Sequence, residues 1–390
     1  MKALKSNRLH IGFFGRTNVG KSSVINRITG QEISIVSDIA GTTTDVVEKS
    51  MELLPIGPVV LLDSAGIDDD TDLGILRLEK TLKILDRTDI AVLVCDNTGI
   101  GDFERRLTDK FNELKIPFII LVNKTDISEP SEAVNGIYTS AIKDSELVFK
   151  FKSALIKILP DDFINSPKIA ADLIEPESLV VLVIPIDKEA PKGRIILPQV
   201  QTLRDLLDSG CSVLSVRDTE LENALKNLKQ PPQLVITDSQ AFKKVSEILP
   251  DNIALTSFSI LFAKLKGDLK TFIKGASAID NLQDGDKVLI LESCTHHAID
   301  DDIGRVKIPN LLRKKTGKNL ITENFSGHDF PDVTGCKLII HCGACMTNRK
   351  EVLSRIMKAN QAKVPITNYG IAISYCLGIL DRAVKIFNLE

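Results

Sequence analysis

Gly15-Arg16-Thr17-Asn18-Val19-Gly20-Lys21-Ser22-Ser23 is the stretch on which the fold of this chain turns. It is a full G-x-x-x-x-G-K-S match. The apolar run Leu9 to Phe14 before it reads as a short buried strand, and a helix is expected to start inside the motif and run to about Ile28. Each residue type has a physical reason. Glycines let the main chain wrap and aim its N–H groups at phosphate. Lys21 reaches the β and γ phosphates of a nucleotide, and Ser22 offers its hydroxyl to magnesium. Gly15, Asn18, Val19, Gly20 and Ser23 complete the cradle. A chance glycine loop competes poorly in a strand–loop–helix setting.

Four more motifs follow in order. Gly41-Thr42-Thr43-Thr44-Asp45 reads as a switch loop in which Thr43 meets magnesium. Asp63-Ser64-Ala65-Gly66 follows the apolar run Val59 to Leu62; Asp63 reaches magnesium through water, and the Gly66 N–H senses the γ phosphate. Asn123-Lys124-Thr125-Asp126 follows Phe118 to Val122. There Asp126 accepts from the guanine N1 and N2 donors and Lys124 packs along the base. Thr139-Ser140-Ala141 fits the loop whose main chain, at Ser140 and Ala141, reads guanine O6. The ordered set reads as a magnesium-dependent GTPase, with Lys21, Thr43, Asp63 and Gly66 in the catalytic positions. Ile67 stands where Ras-type enzymes carry a water-orienting glutamine, so slow intrinsic hydrolysis is expected. The run Asp68-Asp69-Asp70 reads as a solvated loop.

Over residues 7 to 160 this set resembles the translation-factor-like class of small GTPases, most closely the family of the tRNA-modification GTPase MnmE. The resemblance implies that Asn18 helps to hold a potassium ion beside the phosphates. The ion would do electrostatically what an arginine finger does.

The bulk numbers bound the rest. A chain of 390 residues is too long for one core. A net charge of -3, no Trp and only 3 Tyr argue against a nucleic-acid partner and against base-stacking platforms. No apolar run of transmembrane length is present and the first residues lack a signal-peptide pattern, so a cytoplasmic protein with no membrane partner is expected. The 7 Cys are too few for a disulfide scaffold. Cys294, Cys336, Cys342, Cys345 and Cys376 all lie beyond residue 290, which points to metal binding in a reducing compartment.

After a Pro-broken linker at 161–178, apolar runs alternate with helical patterns to residue 256, as in a small parallel sheet. Such a sheet leaves an edge strand to be covered, and pairing with a second copy is one solution, so this segment is assigned to homodimerisation. Cys211 within it reads as a small buried residue. A helical stretch at 258–273 leads to a third α/β segment, with strands expected near 287–292, 319–322, 336–341 and 364–367. Its helices are expected near 303–315, 347–360 and 370–387.

The third segment carries the metal chemistry. Two strand-like runs end in Cys294-Thr295-His296 and in His341-Cys342-Gly343-Ala344-Cys345. Parallel pairing would bring these ends together. Cys336 starts the second strand, roughly 16 Å away at about 3.3 Å per residue, and is a poor ligand. On chemistry alone, zinc with three Cys and one His and an iron–sulfur cluster are both open. His296 and His341 are the candidates for a fourth ligand or for a hydrogen bond to a ligand; His297 and His328 are weaker.

The combination of this GTPase, a middle α/β segment and the C-x-H…H-C-x-x-C pattern resembles the HydF family of FeFe-hydrogenase maturation GTPases along the whole chain. The resemblance implies that Cys294, Cys342 and Cys345 hold a 4Fe-4S cluster. It further implies that the cluster's open iron anchors a di-iron subcluster precursor, delivered to the FeFe-hydrogenase apoenzyme. The radical-SAM maturases HydE and HydG would be partners, and GTP/GDP, Mg2+ and K+ the remaining cofactors. The architecture expected is α/β in three domains: a P-loop GTPase at 1–165, a dimerisation domain at 175–262 and a cluster-binding domain at 263–390. The last two are smaller, with mostly parallel sheets. The alternatives are an RNA-modification or ribosome-assembly GTPase with a structural zinc module, and a regulatory GTPase with a redox-sensing Cys342–Cys345 pair.

Overall fold

A strand buried on both faces must place its odd residues in one core and its even residues in another. The computed structural model shows this for Leu9–Phe14 (β1): Leu9, Ile11 and Phe13 face one cluster, and Phe14 faces a second. The structure describes residues 8–30, 47–64, 83–128, 133–160, 167–186, 192–293 and 302–389. By contacts the chain forms two compact units, Met1–Ser166 and Pro167–Glu390.

In the first unit β1 is joined by Val47–Leu53 (β2), Gly57–Asp63 (β3), Ile90–Cys95 (β4), Phe118–Val122 (β5) and Ile137–Tyr138 (β6). Among the described residues the sheet order is β2-β3-β1-β4-β5-β6. Only the β2–β3 pair is antiparallel. Helices Lys21–Thr29 and Leu147–Ile158 cover one face through Val24, Ile25, Phe151 and Leu155. Helix Asp102–Glu113 covers the other through Leu107 and Phe111. The carboxyl ends of β1, β5 and β6 lead into three described motif loops, and that of β3 into Asp63 and Ser64 of a fourth, at the sheet end where ligands bind in open α/β sheets.

The second unit holds two four-stranded parallel sheets. Leu179–Val183 (β7), Ser212–Val216 (β8), Leu234–Thr237 (β9) and Ala254–Ser257 (β10) pair in the order β10-β9-β7-β8. Lys287–Glu292 (β11), Ile321–Ser326 (β12), Cys336–His341 (β13) and Ile366–Asn368 (β14) pair in the order β12-β11-β13-β14. One hydrophobic core runs between the two sheets: Val181 and Val235 of the first share it with Leu289 and Ile339 of the second. Helix Phe258–Lys266 contributes Ile260 and Ala263 to it, and the boundary expected between 262 and 263 falls inside this helix.

Glycines break two expected helices. At Gly267 the chain divides into Phe258–Lys266 and Leu269–Ala276; a Cβ there would meet the Phe272 ring at 2.4 Å. The stretch expected as one helix to 387 is cut at Gly378, φ 73, into Tyr369–Cys376, Leu380–Val384 and the turn Lys385–Phe387. The helix expected from 303 opens as the π-turn Ile303–Lys307 and continues as Ile308–Thr316. No helix among the described residues is long and apolar enough to cross a membrane.

Candidate nucleotide site and thiol turn

The phosphate loop is fixed by two glycines with positive φ. A Cβ on Gly15, φ 150, would meet the Val94 carbonyl oxygen at 2.2 Å. A Cβ on Gly20, φ 93, would meet the Asn123 amide at 2.3 Å. Either side chain would push the loop off the strand ends beneath it. The loop curls around its own lysine: Lys21 Nζ donates to the carbonyls of Gly15 at 2.9 Å and Arg16 at 2.8 Å. Val19 is buried beneath the loop, while Asn18, Ser22 and Ser23 are exposed. Asn18 holds a left-handed φ of 63.

Ser22 Oγ lies 3.4 Å from Asp63 Oδ2. Burial raises the Asp63 carboxyl to about 6, against the opposing pull of Lys21 and the Ser22 bond. Asp63 Oδ1 is buried and has no hydrogen-bond partner among the described residues. A hydroxyl beside a carboxylate with an unsatisfied buried oxygen fits magnesium, which takes hard oxygen ligands. Thr43 and Gly66 lie outside the described residues.

The guanine-reading residues meet at the same sheet end. Asn123 donates from Nδ2 to the Val19 carbonyl at 3.0 Å and accepts from the Ala141 N–H at 2.9 Å. Asp126 is exposed; a hydrogen bond from Ser140, then Lys143 at 3.3 Å, holds its carboxyl below the usual range. Lys124, φ 62, extends to Asp96 Oδ2 at 3.7 Å.

Motif reading missed the brace behind the loop. Arg16 Nε donates to Glu104 Oε1 at 2.7 Å, and Glu104 Oε2 accepts from the Gly101 N–H at 2.9 Å. Glu104 is fully buried. The signal available was an acidic residue in the first turn of helix Asp102–Glu113, which reads only as a cap.

In the second unit Cys342 continues from β13, its N–H donating to the Leu291 carbonyl at 2.9 Å. Its Sγ accepts from the N–H of Ser293 at 3.3 Å and of Ala344 at 3.5 Å. Ala344, φ 53, turns the chain left-handed toward Cys345. Both thiols are half-buried, and burial raises the Cys345 thiol, with Lys266 opposing. Two thiols on one turn, with N–H groups already aimed at a sulfur, fit a thiolate-ligated metal. Ser293, the residue before Cys294, touches Cys342 Sγ. Cys294, His296 and His297 lie outside the described residues. Among the described residues no group of three metal-ligating side chains is complete.

His341 is placed differently from the expectation of a ligand. Its ring is fully buried, with Nδ1 2.7 Å from the Cys342 carbonyl and Nε2 2.9 Å from Arg355 Nη1. A carbonyl only accepts and a guanidinium only donates, so the proton sits on Nδ1 and neither nitrogen faces a metal. Burial, then the Arg355 charge, lowers the ring to about 4. His328 turns to Glu351 at 3.0 Å. Cys336 is buried at the far end of β13, and burial raises its thiol. Cys211 is buried as expected for a small core residue.

Two buried cations beside the turn escaped the sequence reading. Arg355 reaches Ser293 Oγ, His341, the Gly327 carbonyl and Glu351. Its signal was visible: Glu351 and Arg355 share the stripe of Val352, Ile356 and Ala359 on helix Arg349–Gln361. Lys266 closes an apolar helix and gave no signal.

The first unit is therefore a P-loop GTPase domain. Residues 10–124 match the family described as 50S ribosome-binding GTPase. Residues 169–267 match the hydrogen maturase F dimerization domain, and residues 270–386 the hydrogen maturase F tetramerization domain. The chain belongs to the hydrogen maturase F (HydF) family. The tetramerization description adds an assembly level that the composition does not announce.

Among curated relatives, GTPase Der of Nitratiruptor sp. is 37% identical over 156 residues, 39% of this chain and 32% of the relative. The tRNA modification GTPase MnmE of Caldicellulosiruptor saccharolyticus is 36% identical over 155 residues, 37% of this chain and 33% of the relative. MnmE of Mesoplasma florum is 33% identical over 187 residues, 47% of this chain and 39% of the relative. The chain spans about a third of the length of the curated relatives it matches.

Proposed function

We propose that the chain is a GTP-hydrolysing scaffold that matures FeFe-hydrogenase. The observation that carries the hydrolytic half is Ser22 Oγ set 3.4 Å from Asp63, whose second oxygen is buried and without a partner among the described residues. Ser22 and Asp63, with Thr43, would hold magnesium, which would supply positive charge to the phosphates when water attacks. Lys21 leaves its two loop carbonyls for the phosphates, and Gly66 senses the terminal one. Asp126, kept ionised, selects guanine. Asn18 is the candidate potassium contact.

The scaffold half rests on the thiol turn and on family membership. Cys294, Cys342 and Cys345 hold a 4Fe-4S cluster, with His296 the remaining histidine candidate for the fourth position. Three thiolates for four irons leave one site at which a di-iron precursor can be bound and released as cargo. The hydrogenase apoenzyme, HydE and HydG are the partners, and a homodimer is the minimal assembly. The test is activation of apo-hydrogenase by the anaerobically loaded full chain. Cys342→Ser should abolish activation and leave GTP turnover intact; full activation by that variant would overturn the scaffold reading.

A further inference from the structure

Lys266 is only 3% exposed, yet its ammonium forms no ion pair with a carboxylate among the described residues. Its donors go to one place. Nζ lies 2.9 Å from the Ala344 carbonyl, 2.8 Å from that of Thr347 and 3.4 Å from that of Cys345. The Phe262 ring sits 5.6 Å beneath it. Glu351 acts on the ammonium only from a distance. A desolvated ammonium without a carboxylate in contact is costly, and main-chain carbonyls offset only part of that cost. The groups beside it that become anions on binding a metal are Cys342 and Cys345. Arg355, which reaches the turn through Ser293 and His341, has its charge already matched by Glu351 at 2.8 Å. Among the described residues the cation without a carboxylate in contact is therefore Lys266, and it comes from a helix within the region matched as the dimerization domain.

We propose that Lys266 is the positioning residue of the thiol turn: it pins the carbonyls of residues 344, 345 and 347 so that both thiols project together, and its charge offsets that of the anionic metal–thiolate group. The charge part rests on reading Cys294, Cys342 and Cys345 as a metal mount; the pinning part does not. The site is then completed across both sheets of the second unit.

Two measurements on the full chain separate the parts. In metal-free protein, Lys266→Met should accelerate amide exchange across 342–347 by about tenfold or more, the scale of losing hydrogen bonds from a buried charge. Lys266→Arg should retain most of the protection. Leu206→Ala loosens the core that also holds Phe258, Leu261 and Phe262 of the Lys266 helix without touching the ammonium's hydrogen bonds; it should accelerate the turn far less than Lys266→Met and so controls for general loosening. Unchanged exchange in Lys266→Met, or equal acceleration in Leu206→Ala, overturns the pinning role. In iron-reconstituted protein, Lys266→Met should reduce at a more negative potential than wild type, and Lys266→Arg should not. An unshifted potential overturns the charge role. Wild type that takes up no iron removes the metal reading and with it the charge role, while the exchange comparison still decides the pinning.

Discussion

The side-chain amide of Asn123 donates to the Val19 carbonyl across 3.0 Å, joining loops 104 residues apart. The same side chain accepts from Ala141, so one asparagine ties the phosphate loop to both guanine-reading loops. Asn123→Ala leaves a buried donor and acceptor unmatched, each worth about 1–3 kcal/mol. GDP affinity should fall by roughly tenfold to a hundredfold, measured by titration with a fluorescent GDP analogue. Affinity within twofold of wild type would remove this tie from the account.

Glu104 braces Arg16 from a fully buried position. Glu104→Gln keeps the shape and removes the charge, leaving Arg16 half-exposed without its closest anion. GTP affinity should weaken, and Arg16→Gln should lose no further affinity when combined with it. Additive losses in that double-mutant cycle would mean that the two side chains act separately.

The strand–loop–helix start and the strands β3, β5, β11 and β13 are legible because apolar runs and glycine motifs are local signals. Lys266 is not: its partners are main-chain carbonyls of residues 344 to 347, and no pattern at the end of an apolar helix announces them. Its position beside Cys342 makes His341 a candidate for a fourth ligand or for a hydrogen bond to one. Arg355, on another element, claims the nitrogen that a metal would need. The shared core between the second and third sheets was hidden for the same reason, since both faces of a parallel strand look apolar whatever covers them.

His341 gives a pH signature in metal-free protein. Its folded pKa, lowered from 6.5 to about 4, means that the unfolded chain takes up a proton first as pH falls. The stabilising contribution is complete above 6.5 and is lost between 6.5 and about 4, up to about 3 kcal/mol in all. Urea unfolding at pH 7 and pH 5 should show a steeper loss for wild type than for His341→Asn. Equal slopes would contradict the buried neutral ring.

Removing Arg355 should cost about 3–5 kcal/mol, because Glu351 would be left buried without its cation. Arg355→Leu should therefore melt well below wild type, and Arg355→Leu with Glu351→Leu should recover part of the loss. No recovery in the double variant would show that the pair is not a coupled unit.

Potassium at Asn18 predicts faster GTP turnover in potassium than in sodium salts at equal ionic strength, with Asn18→Ala abolishing the difference. Equal wild-type rates would leave Asn18 as a loop residue.

The metal carried by the thiol turn is the most direct test of the whole reading. Full-length protein, purified and reconstituted anaerobically, should be brown, contain iron and sulfide in about equal amounts near four per chain, and give an EPR signal on reduction. Cys342→Ser should lose the colour. A colourless protein holding one zinc per chain would contradict the scaffold account and favour an RNA GTPase with a structural zinc.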